Sequence, residues 1–156
     1  MSAVTTNPDL IRDTFVNLTI DKIQGEPTYE TLMALNIQLN ANATSIGTLL
    51  STLGYLALTC LPALFTRLNG GTPWTEPTNP GLNPTMPNAN PTQAQITQVN
   101  REWANEINEW RMYMMMEKLL KQQLIGAIEE MYIRSLRSKI VGYANVTTRD
   151  LLTHLF

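Results

Sequence analysis

The stretch TQAQITQVNREWANEINEWRMYMMMEKLLKQQLI, residues 92–125, decides the fold because neither proline nor glycine interrupts it. Its apolar residues recur at helical spacing: Ile96, Trp103 and Trp110 lie seven residues apart, and Ile107 and Met114 belong to a second row. We therefore predict a single helix of about thirty residues, roughly 50 Å long at 1.5 Å per residue.

This helix is better interpreted as the spine of one domain than as an arm of a coiled coil. Glu117 and Lys121 occupy the next positions of the two rows, so the seam is not continuous. Residues 113–116 are Tyr-Met-Met-Met and apolar all round, which indicates burial on several sides. We expect the two tryptophans and the methionines to fill the core, although an adaptable methionine groove for a partner remains an alternative.

Residues 1–71 are predicted to form an N-terminal helical segment. Pro27-Thr28-Tyr29-Glu30 is typical of a helix start, and we expect further helices over residues 46–58 and from Pro62 to Asn69. Residues 15–23 are compatible with a short strand or a helix edge. No charged residue occurs from position 31 to position 66.

Residues 72–91 are predicted to form a loop. They hold six of the nine prolines and several asparagines, and proline fixes φ and removes a hydrogen-bond donor. Residues 92–156 return to helical patterns within the same domain.

Two further elements follow the spine. Apolar residues spaced from Leu124 to Leu136 predict a helix that continues past Gly126 and ends near Gly142. Thr147 and Asp150 are typical of a capping box at the start of a final helix. The fold class is therefore predicted to be mainly α, a helical bundle with one long central helix and a Pro-rich loop.

The last helix has no C-cap, so we expect the chain to be a fragment truncated at residue 156.

The sequence offers little catalytic chemistry. Cys60 and His154 are the only residues of their types, which excludes an intramolecular disulfide and a four-ligand zinc site within one chain. Acidic pairs such as Glu129 and Glu130 are better explained by a solvated helix face than by paired catalytic carboxylates. We therefore expect no enzyme activity, no cofactor and no metal.

Charge and hydropathy also limit the partners and the compartment. A net charge of −2 and a pI near 5.4 give no global attraction to phosphates. A single cysteine flanked by apolar residues suits a reducing compartment, and we expect a cytoplasmic protein. The most apolar stretch, residues 49–65, is too short and too interrupted to span a membrane.

Two groups of residues are candidate binding sites. Arg134, Arg137 and Lys139 lie in an acid-free stretch, which we interpret first as an ordinary solvated face, with a weak RNA or phosphate contact as the alternative. The apolar face of the final helix is a candidate assembly surface, formed by Leu151, Leu152, Leu155 and Phe156.

The C-terminal residues carry a resemblance. The stretch KLLKQQLIGAI at 118–128 and GYANVTTRDLLTHLF at 142–156 resemble the Gag region of copia-type LTR retrotransposons, in which a Thr-headed helix carries a leucine pair. The stretches Gly-Tyr-Leu-Ala-Leu at 54–58 and Asn-Pro-Gly at 79–81 are also similar to a branch of these elements found in protists and fungi. The likeness covers roughly residues 23–156.

This resemblance implies a capsid-like protein that associates with itself into particles around the RNA of its element and has no catalytic residues. The zinc knuckle of the family would lie downstream. The alternative function is a helical adaptor that binds a partner protein without catalysis.

Overall fold

The computed structural model describes residues 8–48 and 50–156, and their architecture is mainly helical, as predicted. Five α-helices and three short 3-10 turns are present in these residues, which contain isolated β-bridges but no sheet. The helices are α1 (Pro8–Thr14), α2 (Tyr29–Thr44), α3 (Pro62–Leu68), α4 (Gln93–Ala127) and α5 (Thr148–Leu155).

Helix α4 is the predicted spine and has 35 residues. It begins at a capping box in which the Thr92 hydroxyl accepts from the Gln95 amide and the Gln95 side chain accepts from the Thr92 amide. Burial divides the helix in two, because its buried residues start only at Met112. The first half, residues 93–110, lies outside the core.

The second half of α4 forms the core with α1, α2 and α5. The irregular segment at 15–23, which is neither strand nor helix, adds Phe15 and Ile23 to this core. Its backbone is held by the buried Asn42 side chain, which accepts from the Asn17 amide and donates to the Asn17 carbonyl. The largest fully buried apolar side chains here are Leu35, Leu39, Tyr55, Met116, Leu120, Leu124, Ile133 and Leu151.

The predicted helix from Leu124 to Gly142 is wrong beyond Ala127. Ile128 is extended, and the chain continues as 3-10 turns at Glu130–Tyr132 and Arg134–Leu136. The carbonyl of Ala127 accepts from the distant Ile23 amide at 2.8 Å, and Ile128 and Ile133 are buried. Tertiary contacts therefore end the helix here.

The predicted helix over 46–58 is also wrong. The described residues of this stretch form turns, followed by a 3-10 turn at Leu56–Leu58. Gly54 has φ +61° and packs so closely on α2 that a Cβ would lie 2.6 Å from the Ile46 carbonyl oxygen. A tight reversal of the chain against the end of α2 therefore replaces the predicted helix.

Helix α3 covers a smaller apolar cluster with the turn before it. Leu56, Ala57, Cys60 and Phe65 are buried together, and Trp74 packs against them from the following segment. Burial raises the pKa of the Cys60 thiol, partly opposed by the charge of Arg149. Cys60 is thus the buried thiol that its sequence neighbours predict.

Residues 72–91 have neither helix nor strand, and their first half runs antiparallel to α4. Tyr113 donates a hydrogen bond to Glu76, and Trp103 Nε1 donates to the Gly81 carbonyl at 3.1 Å. Between these two contacts, the ten residues from 103 to 113 of α4 rise about 15 Å at 1.5 Å each. The five residues from 76 to 81 cover the same 15 Å or so only at about 3.1 Å each, so this part of the segment is nearly fully extended. Trp103 and Trp110 are only half-buried and lie outside the apolar core, so their predicted place in the core is wrong.

Candidate functional site

A shallow apolar groove opens between α2, α3 and α5. We call it the α2–α5 groove, and its volume is about 460 Å³. Its rim consists of large apolar side chains that remain accessible to solvent, including Tyr29 (70% exposed), Leu61 (60%) and Phe156 (53%). Met33 and Leu64 complete the rim.

Local structure places each of these side chains at the surface. The capping box of Thr28 and Thr31 starts α2 at Tyr29, and Met33 lies one turn further along. Pro62 occupies the first turn of α3, so Leu61 stands at its N-cap. The rings of Tyr29 and Phe156 meet edge to face at 6.0 Å between centroids, which closes one end of the groove.

The floor of the groove carries one cation. Arg149 lines both the groove and a neighbouring aromatic pocket of about 440 Å³ that also holds Trp74. Its guanidinium donates to the Ala57 carbonyl, while its Nε is buried and has no partner among the described residues.

Two ionisable groups that line the aromatic pocket have raised pKa values. Burial raises the pKa of the Tyr113 phenol, and its hydrogen bond and charge interaction with Glu76 raise it further. Burial also raises the pKa of the Glu117 carboxyl, against the opposing effects of its hydrogen bonds from Thr148 and of the Lys121 and Arg149 charges. Each group hydrogen-bonds a side chain of another segment, Tyr113 to Glu76 and Glu117 to Thr148.

The predicted assembly surface on α5 is corrected by burial. Leu151 and Leu152 face inward and are 0% and 5% exposed, so the chain's own core occupies them. Leu155 is half-buried against the same core. Only Phe156 reaches the surface, where it joins the α2–α5 groove.

The three predicted basic residues do not form a strip on one helix. Arg134 starts a 3-10 turn, Arg137 follows it, and Lys139 lies in the loop closed by the Ser138–Gly142 bridge. All three are exposed, and Arg137 pairs with Glu130 at 3.1 Å. Three cations thus face solvent from different turns and loops.

His154 lies at the surface, as its position on an amphipathic helix predicts. Its Nε2 is 3.1 Å from the Tyr132 carbonyl oxygen and 3.4 Å from the Ser135 hydroxyl. A nitrogen that donates to a carbonyl carries a proton and has no lone pair with which to activate the serine. Among the described residues, no group of three or more His, Cys, Asp or Glu side chains is placed to hold a metal ion.

The groove residues Tyr29, Met33 and Leu61 were not singled out from the sequence. The available signal was the charge-free run over residues 31–66, since α2 and α3 turn part of that run towards solvent. Periodicity alone could not indicate which apolar side chains stay exposed.

Fold and surface together define a mainly α-helical domain built on one long helix. Comparison of the chain with protein-family models, with curated proteins and with solved structures finds no match. Within residues 8–48 and 50–156, no helix combines the length and apolar character that crossing a bilayer requires.

Proposed function

We propose that the chain is a non-catalytic structural protein that associates with copies of itself, as its resemblance to copia-type Gag proteins implies. In this proposal it acts in the cytoplasm, needs no cofactor, and builds capsid-like particles around the RNA of its element. The observation that carries the proposal is the α2–α5 groove, where apolar side chains from three elements meet at the surface.

Two copies related by a two-fold axis would cover each other's grooves. The same patch then meets itself, as in most homodimers. The rim side chains named above are uncharged, and the cation of the groove, Arg149, lies on its floor bonded to the Ala57 carbonyl, so no charged side chains of the two rims face each other. Burying exposed apolar surface contributes about 25 cal/mol per Å², and aromatic side chains such as Tyr29 and Phe156 are frequent anchors of interfaces.

Sedimentation velocity over a range of concentrations tests self-association. The unmodified chain is expected to gain mass with concentration, and Leu61→Arg is expected to suppress that gain. Leu82→Arg is the matched control, because Leu82 is 90% exposed and lies in the extended segment away from the groove. Circular dichroism verifies that both variants keep their helices.

A strictly monomeric chain at high concentration contradicts the proposal. Monomers whose groove captures a helical peptide of another protein would favour the helical adaptor instead. Equal association of Leu61→Arg and the unmodified chain would exclude the groove as the contact.

A second candidate function is direct contact with RNA. Arg134 and Lys139 favour it because both are exposed in a part of the chain with few acids. Filter binding of single-stranded RNA is then expected to weaken steeply as salt rises, and Arg134→Gln with Lys139→Gln is expected to flatten that dependence. Binding that salt does not affect would contradict this candidate.

A further inference from the structure

The charges of the chain are distributed unevenly along its length. Residues 1–110 carry nine acidic and four basic side chains, a net charge of −5, whereas residues 111–156 carry seven basic and four acidic ones, a net charge of +3. The boundary falls within α4, at the point where that helix enters the core. Within α4 itself, residues 93–110 carry three acidic side chains and Arg101, a net charge of −2, whereas residues 111–127 carry three basic side chains and Glu117, a net charge of +2.

The acidic half lies outside the core, and other segments contact it: Trp103 donates to the Gly81 carbonyl at 3.1 Å and Thr48 donates to Glu109 at 2.8 Å. Residues 93–110 contain no buried side chain and span about 27 Å at 1.5 Å per residue. Glu102 and Glu106 are both exposed and lie one turn apart, roughly 6 Å, on the same side of the helix. We call residues 93–110 with these two carboxylates the acidic arm.

The basic half borders a groove of about 590 Å³ between α4 and residues 143–144. Met114, Met115 and Ile125 supply its apolar lining, and Met114 is 49% exposed. Arg111 and Lys118 are exposed at its edge, two helical turns or about 10 Å apart. We call this surface the basic groove.

Other cations surround the same groove. Lys121 lines it and donates to backbone carbonyls of residues 143–146. Arg134 and Arg137 lie close enough to Tyr143, another lining residue, to oppose the rise of its phenol pKa that burial and Glu130 cause. The acids nearby are Glu117 and Glu130, which are bonded to Thr148 and Arg137.

The acidic arm cannot reach the basic groove of its own chain. Both lie on α4, and that helix is continuous over 35 residues without a proline. A straight helix cannot fold back on itself, so the arm can meet the basic groove only of another molecule.

We propose that the acidic arm of one copy docks on the basic groove of the next. This inference rests on the proposed self-association and adds a second, head-to-tail contact to the groove contact described above. Glu102 and Glu106 approach Arg111 and Lys118 of the neighbouring copy. Because the two surfaces differ, each copy offers one of each, and the contact generates rings or filaments rather than closed pairs.

Charge exchange between two variants of the full chain tests the contact. One variant is Glu102→Lys with Glu106→Lys, and the other is Arg111→Glu with Lys118→Glu. Each alone is expected to associate about tenfold more weakly at about 0.05 M salt, because like charges now face each other. Their mixture is expected to recover association, since the reversed arm of one variant matches the reversed groove of the other.

Each outcome decides between the two proposals. If the unmodified chain associates, and Leu61→Arg but neither charge variant weakens that association, the head-to-tail contact is refuted and the groove contact stands. Failure of the mixture to recover association also refutes it. If only the Arg111→Glu, Lys118→Glu variant changes behaviour, and does so by losing single-stranded RNA, the basic groove serves RNA and the head-to-tail contact is overturned.

Discussion

The Glu117 carboxylate ties α4 to the first turn of α5 through Thr148. It accepts from the Thr148 amide at 2.5 Å and from the Thr148 hydroxyl at 2.9 Å. The amide belongs to the first turn of α5, where backbone donors have no partner within the helix. A side chain of the long helix therefore completes the start of the last one.

Replacing Glu117 by Gln is expected to change how stability depends on pH. Burial raises the pKa of this carboxyl, so the folded state disfavours its ionised form and loses stability as pH rises above the ordinary value of 4.5. Gln keeps an acceptor for Thr148 without a charge. The melting temperature of Glu117→Gln minus that of the unmodified chain is expected to increase from pH 4 to pH 7, as thermal scans would measure.

The converse variant is Thr148→Val, which removes the hydroxyl donor and leaves the amide. The carboxylate then loses one stabilising bond, so the decline of stability with pH is expected to steepen. Identical pH dependence in all three proteins would contradict the role assigned to Glu117.

Lys121 fastens the segment that leads into α5. Its ammonium group donates to the carbonyls of Tyr143 and Val146 at 3.0 Å and of Ala144 at 3.4 Å. Lys121→Met is expected to lower the free energy of unfolding by about 1–3 kcal/mol in urea titrations, because hydrogen bonds to a charged group are lost. Lys118→Met, on the exposed side of α4, is the control and is expected to change it by no more than about 0.5 kcal/mol. A matching loss in both would argue against the role of Lys121.

Asn42 joins three segments from a fully buried position. It bonds both backbone groups of Asn17 and donates to Gln123 Oε1 at 2.8 Å. Asn42→Ala leaves these partners unsatisfied, and we expect a loss of about 1–3 kcal/mol in the free energy of unfolding. Hydrogen exchange should speed up at the Asn17 amide. The exposed Asn105→Ala serves for comparison, and an equal effect there would refute the prediction.

Comparing alanine substitutions at Gly54 and Gly142 distinguishes the energetic cost of backbone strain from that of steric crowding. Their φ angles are +61° and +62°, but a Cβ on Gly54 would meet backbone oxygen at 2.6 Å, whereas one on Gly142 would meet nothing within 4 Å. Alanine at Gly142 is expected to cost about 1–2 kcal/mol of left-handed strain, and alanine at Gly54 a further 1–3 kcal/mol or so for displaced neighbours. Denaturant titration of the two variants would test this, and equal losses would contradict it.

Helix starts could be predicted from the sequence because their chemistry is local. Thr92 with Gln95 and Thr147 with Asp150 form the capping boxes of α4 and α5, and the three-residue spacing from Thr147 to Asp150 predicts the second of them. The long helix α4 can also be predicted from the sequence, because residues 92–125 contain neither proline nor glycine.

Helix ends and exposure could not be predicted in the same way. Ala127 ends α4 because its carbonyl binds Ile23, which is more than a hundred residues away in sequence. Leu151 and Leu152 are apolar like Phe156, yet only the packing of α2 and α4 decides which of them is covered. Such outcomes depend on contacts between distant segments, which a pattern within one segment does not contain.

Only the part of α4 from Met112 onward is buried in the core, so a small change in the direction of the helix there is magnified at its N-terminal end. Its last four turns lie in the core and its first five do not, so a change of about 10° in its direction at Met112 would displace Gln93 by about 5 Å, together with the segment that Trp103 binds at Gly81. Small angular adjustments at one residue would thereby be amplified at the tip. If copies associate as proposed, neighbouring molecules would then meet at different angles while every core contact stays the same.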